Sequence, residues 1–150
     1  MTYWDTSCLL KLYVQEADSD AYRDILLQQT TPLLTSALAE VEFAFALTRR
    51  ESEGQLKKGA AAHLVQLLRN HASQGRIRFI PIHATVRDLA TSLVRRCLLE
   101  QHPPLQLRTL DGIHLATALS LKASRLLTAD LRLRAAARLC GLDTGTSHFV

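Results

Sequence analysis

Short strand-like runs alternate along this chain with longer helical ones, and that alternation limits the fold more than any other feature. Thr2 to Trp4, Leu33 to Thr35, Ile77 to Ile80 and Arg125 to Thr128 read as strands. Helical patterns cover Ser7 to Val14, Ser19 to Gln29, about Gly59 to Ser73, Thr85 to Leu99 and Thr109 to Lys122. Ser19 and Ser36 are expected N-caps, the second opening a helix to about Arg50. Asp130 opens a last helix that Gly141 ends, and a short terminal strand fits the remaining tail. Strands joined by helical crossovers pair in parallel and bury both faces. The expected fold is therefore α/β: a central, mostly parallel sheet between two layers of helices. In such sheets ligands bind beyond the carboxyl ends of the strands, where the strand order reverses.

The 150 residues suffice for one domain with a sizeable core. A content of 47% hydrophobic and 21% charged residues excludes a disordered chain. No apolar run approaches the roughly 18 residues of a membrane span, and residues 1 to 5 carry no signal-peptide pattern, so a cytoplasmic protein is expected. Cys8, Cys97 and Cys140 are odd in number and widely spaced, which argues against a disulfide framework or a zinc site. They are expected to be small core or boundary residues. The net charge is +4, and Arg supplies most of the cations, among them Arg49, Arg50, Arg95, Arg96, Arg108, Arg132, Arg134 and Arg138. The guanidinium fork suits phosphate.

Against this background four acidic residues stand out: Asp5, Asp111, Asp130 and one of the pair Glu40 and Glu42. Each falls where a strand ends or where a helix runs through apolar sequence. Burying a lone carboxylate costs several kcal/mol, on the order of the penalty for any unpaired ion. Several gathered together repel one another unless a cation holds them, and oxygen ligands suit Mg²⁺ or Mn²⁺. Asp5 and Asp130 follow predicted strands and so belong to one edge of the sheet. Both are also good N-caps, and Asp111 suits the positive end of a helix dipole. On the helix after Ser36, Glu42 shares a face with Leu38, Ala39, Phe45 and Ala46, and Glu40 with Phe43, Ala44 and Leu47. That helix is apolar nearly all round, which predicts burial. Periodicity does not choose between the glutamates; one of them is free to pair with an Arg such as Arg49. Asp18, Asp20 and Asp24 read as solvated surface.

Taken together, four segments resemble the motifs of PIN-domain proteins. They are Tyr3-Trp4-Asp5-Thr6-Ser7 with Leu9 to Tyr13, Thr35 to Glu42, Leu107 to Ala118, and Leu127-Thr128-Ala129-Asp130 with the Ala-rich helix up to Gly141. They occur in order and span nearly the whole chain. The likeness is greatest to VapC-type toxins of toxin–antitoxin pairs. It implies a PIN-like three-layer fold over residues 1 to 150, a metal-dependent endoribonuclease, a homodimer and a small cognate antitoxin. It also selects Glu42, six residues after Ser36, over Glu40. Gly112 departs from the pattern, where Ala is more usual, and Gly within a helix costs about 1 kcal/mol.

The expected chemistry is hydrolysis of RNA, with Asp5, Glu42, Asp111 and Asp130 holding one or two Mg²⁺ or Mn²⁺ ions. Ser7 or Thr128 is expected to orient a carboxylate or a water, Arg108 to meet RNA phosphate or to form a surface ion pair, and His114 to be a core histidine, a partner of a carboxylate or a general base. Two other classes compete. A phosphotransfer module also places Asp after its first strand, but it lacks the second acid such modules carry nearby, Ser7 standing there instead. A non-catalytic RNA- or antitoxin-binding module would leave the acids without turnover.

Overall fold

The computed structural model describes residues 1–145. Strands β1 (Thr2–Trp4), β2 (Leu33–Ser36), β3 (Ile77–Ile80) and β4 (Arg125–Leu127) form one sheet in the order β3-β2-β1-β4. Every pairing is parallel, with Tyr3 opposite Leu34 and Trp4 opposite Leu127. The helices are α1 (Thr6–Tyr13), α2 (Ser19–Leu27), α3 (Leu38–Ser52), α4 (Ala60–Ser73), α5 (Ala84–Leu98), α6 (Thr109–Ser120) and α7 (Leu131–Leu139). Successive strand residues face opposite sides of a sheet, and the core divides accordingly. Tyr3 and Leu126 pack with Val86, Leu93, Leu115 and Leu133 of α5, α6 and α7. Trp4 and Leu127 pack with Leu9, Tyr22, Phe43 and Leu68 of α1 to α4. The result is the expected three-layer α/β/α arrangement. Cys8 and Cys97 are buried, Cys140 is partly so, and all are free thiols. Among the described residues no helix is long and apolar enough to cross a membrane.

The chain passes from β1 through β2 to β3 on one side, then returns to place β4 on the other side of β1. The switch point therefore lies between β1 and β4. There the Asp5 amide donates to the Leu127 carbonyl at 3.0 Å, so the loops after both strands leave the sheet side by side.

Several boundaries differ from expectation for identifiable reasons. Thr6, not Ser7, is the first residue of α1, because Asp5 itself caps the helix by accepting the Ser7 amide. Ser36 remains in β2, yet its hydroxyl accepts the Leu38 amide at 3.2 Å. Ser19 does not cap α2. It bonds to the Val14 carbonyl and the Glu16 amide, and so ties the α1–α2 turn together. Gly141 ends α7 with φ +80° in a Schellman closure, the Leu142 amide reaching Ala137 and the Gly141 amide reaching Arg138. The chain then runs back beside β4, with Asp143 bridging to Arg125 in parallel. The rest of the expected terminal strand lies outside the described residues.

Helix α3 is not buried all round. Ala39, Phe43 and Leu47 face the core, while Val41 is 54% and Phe45 72% exposed. Asp18 is not free surface either. It receives a bond from the buried Lys11 at 2.5 Å, and Lys11 also holds Glu16 at 2.9 Å. Arg50 of α3 meets the other oxygen of Glu16 at 2.6 Å. Burial pushes the Glu16 carboxyl up, but the bonds from Lys11 and Arg50 outweigh it and leave it below its usual 4.5. A carboxyl depressed on folding stabilises above its unfolded pKa and loses that contribution as pH falls through the folded value. Glu16→Gln should therefore flatten the fall in melting temperature below about pH 4.5, measured by circular dichroism. An unchanged acid limb would mean that other groups set it.

Candidate active site

Asp5 leaves the end of β1 with 5% of its surface exposed. One carboxylate oxygen accepts the Ser7 amide and the other accepts the Thr128 hydroxyl. The Thr128 oxygen accepts the Asp130 amide at 3.0 Å, and Ser7 Oγ accepts the Ala129 amide at 2.9 Å. These bonds lock the loop after β1 to the loop after β4. Burial raises the Asp5 carboxyl, against the opposing pull of His114, Thr128 and Ser7. Thr128 therefore orients a carboxylate, and Ser7 does so through its amide while its hydroxyl holds the neighbouring loop.

Asp130 is the N-cap of α7, accepting from the amides of Arg132 at 2.7 Å and Leu133 at 3.2 Å. Asp130 thus caps its helix while its charge acts on Asp111. Asp111 lies in the first turn of α6. Its Oδ2 is buried and has no hydrogen-bond partner. Burial, then the charges of Asp130 and Asp5, raise the Asp111 carboxyl, while Arg108 and His114 pull the other way. Arg108 itself sits exposed at the N-cap position of α6 and forms no capping bond.

Tertiary packing separates the two glutamates that periodicity left open. Glu40 turns outward to Arg69, 2.7 Å away, rather than to Arg49. Glu42 turns inward, where its Oε2 accepts the Thr6 hydroxyl and lies 2.7 Å from His114 Nε2. Burial works against the Glu42 charge, but the bond and charge of His114 leave its carboxyl lowered. His114 is itself buried. Burial favours its neutral form, yet the bond to Glu42 and the charges of Asp5, Glu42 and Asp111 shift it upward overall.

Asp111 thus feels the charges of Asp130 and Asp5, while Glu42 bonds to Thr6, the residue after Asp5, and to His114, one helical turn after Asp111. Among the described residues no three acidic, histidine or cysteine side chains are already gathered closely enough to hold an ion. Gly112, beside Asp111, is not required by packing, since an added Cβ would meet Leu107 at an ordinary 3.6 Å. Sequence reasoning missed two groups. They are Thr6, whose hydroxyl donates to Glu42, and Tyr3, whose hydroxyl meets His114. Tyr3 lies 111 positions from its partner His114, and no local spacing signals such a pair.

Comparison with known proteins follows the same outline. The PIN domain family model matches residues 2–139. The chain is 39% identical over 143 residues to Ribonuclease VapC46 of Mycobacterium tuberculosis, covering 93% of this chain and 92% of that one. It is 34% identical over 147 residues to Ribonuclease VapC35 of the same species, covering 95% and 93%. Among solved structures, the sarcin–ricin loop cleaving toxin VapC20 of M. tuberculosis superposes with a TM-score of 0.68 at 18% identity, over 91% of this chain and 95% of that one. VapBC2 from Rickettsia felis, bound to a DNA fragment from its promoter, gives 0.68 at 17% identity over 96% and 97%.

Proposed function

This chain belongs to the PIN-domain family, and from that premise we propose that it is a metal-dependent endoribonuclease, the toxin of a toxin–antitoxin pair. The observation that carries the proposal is the set of carboxylates at the β1/β4 switch point. Asp111 Oδ2 is buried without a partner, and the Asp111 carboxyl is raised by the charges of Asp130 and Asp5. Groups so placed call for a cation, and an all-oxygen donor set suits Mg²⁺ or Mn²⁺. Asp5, Glu42, Asp111 and Asp130 would hold it, in part through water, since Mg²⁺ usually keeps several of its waters. When bound, the ion would supply charge neutralisation and a more acidic water for in-line attack on a phosphodiester.

The protein's own residues do the rest. Thr128 and the Ser7 amide hold both oxygens of Asp5 in place. Thr6 and His114 do the same for Glu42. The exposed Arg108, three residues before Asp111, and the partly exposed Arg132, 3.6 Å from Asp130, would meet RNA phosphates and hold the strand beside the acids. Homodimerisation and inhibition by a small cognate antitoxin complete the proposal.

The test is cleavage of total cellular RNA by the purified protein with Mn²⁺ or Mg²⁺, with and without EDTA. Discrete fragments that disappear with EDTA are expected. Folded, antitoxin-free protein that binds several RNAs without cutting them in Mn²⁺ would replace the nuclease with a binding module.

A further inference from the structure

Both ring nitrogens of His114 are engaged. Nδ1 lies 2.7 Å from the Tyr3 hydroxyl, and Nε2 lies 2.7 Å from Glu42 Oε2 and 3.2 Å from Thr6 Oγ1. The Tyr3 oxygen in turn accepts the Ser36 amide at 2.9 Å. The Tyr3 and His114 rings meet edge to face, with centroids 5.9 Å apart. The His114 side chain is 3% exposed.

The donors set the direction of this chain of bonds. An ionised carboxylate only accepts, so Nε2 carries a proton and donates the hydrogen bond to Glu42. The Ser36 amide only donates, so Tyr3 accepts it. The bonds of His114 and Thr6 both fall on Oε2 and leave Oε1 outside them. A histidine with both nitrogens occupied and almost no solvent access is not arranged to take a proton from a reacting water.

We infer that His114 is a positioning residue: it transmits the placement of the β1 and β2 ends, through Tyr3 and Ser36, to the carboxylate of Glu42. The inference rests on the proposed nuclease site for its purpose, though not for its geometry. It accounts for a buried histidine that a general-base role does not explain. It also links β1, the end of β2, α3 and α6 through side chains 33 to 111 residues apart.

The experiment compares wild type with His114→Ala, His114→Gln and Tyr3→Phe as full-length protein. Mn²⁺ is titrated alone by calorimetry, RNA cleavage is resolved into kcat and KM, and melting is followed by circular dichroism. His114→Ala is expected to weaken Mn²⁺ binding about 10- to 100-fold, the usual loss when the partner of a metal ligand is removed. It should lower kcat with little change in KM. His114→Gln, whose amide can still donate to Glu42, should recover most of the loss, and Tyr3→Phe should show a smaller loss in the same direction. Unaltered Mn²⁺ affinity in folded His114→Ala would overturn the inference, as would His114→Gln no better than Ala. If His114→Ala does not fold, Tyr3→Phe decides by the same affinity. In metal-free protein, long-range proton–nitrogen spectra should show Nε2 of His114 protonated, and an unprotonated Nε2 would also overturn it. Wild type that binds Mn²⁺ with this pattern but cuts no RNA would sink the nuclease and leave the positioning role standing. Wild type that binds no Mn²⁺ would sink both.

Discussion

Asp5→Asn should reduce metal-dependent RNA cleavage by more than roughly 100-fold, the upper end of what losing even an indirect partner of a metal ligand costs. It should do so without unfolding the protein. Asn keeps one oxygen to accept the Ser7 amide, so the cap of α1 survives. Its amide nitrogen would face the Thr128 hydroxyl, which can accept as well as donate. The metal-free variant should melt above wild type, because a buried charge whose carboxyl is raised by burial has been removed. A gain of about 1 kcal/mol would appear as roughly 2–4 °C in a chain of this size. Added Mn²⁺ should reverse the order. Ligand at about 100 times its Kd stabilises a protein by about 2.7 kcal/mol, and only wild type should show it. An active Asp5→Asn would remove Asp5 from the mechanism. A variant that melts well below wild type without metal would show that Asp5 is chiefly structural.

Phe43→Ala should cost about 3–5 kcal/mol, while Phe45→Ala, two residues away, should stay within about 0.5 kcal/mol. Phe43 is fully buried and meets Tyr13 edge to face with ring centroids 5.1 Å apart. Truncating it removes apolar contacts and leaves a cavity against α1. Phe45 is 72% exposed. Since domains are stable by roughly 5–15 kcal/mol in all, the first substitution endangers folding and the second does not. Urea denaturation measures both. Equal effects would mean that α3 is covered on its outer face in solution.

The same helix shows where sequence reasoning runs out. Leu38 to Leu47 is so uniformly apolar that periodicity predicts burial on every side. Yet the helix packs along one stripe, because α1 and α4 cover only that stripe. The number of neighbours around a helix is a property of the whole fold. A wheel drawn for one segment cannot count them. Glu40 and Glu42 met the same limit: which one turns inward depends on how α3 is rotated about its axis against α1 and α6. The family resemblance implies Glu42; in the structure Glu42 is the one that turns inward, to bonds with Thr6 and His114. Asp18 is a third case, since Lys11 lies buried one turn of chain away and draws it in.

Asp5 and Asp130 were easier to place. Each follows a strand in a pattern that favours parallel pairing, and parallel strands end on the same edge. Their proximity follows from local signals and one topological rule. Local information in the chain determined the alternation of strands and helices, hence the parallel sheet, its two helical layers and the edge at which Asp5 and Asp130 emerge. It did so because period, caps and turn residues act over a few positions. Tertiary structure alone decided that Tyr3, Ser36, Glu42 and His114 form one chain of hydrogen bonds, and that Asp111 keeps a buried oxygen without a partner. Those facts depend on packing between elements far apart in sequence, where sub-ångström placement sets which donors meet which acceptors.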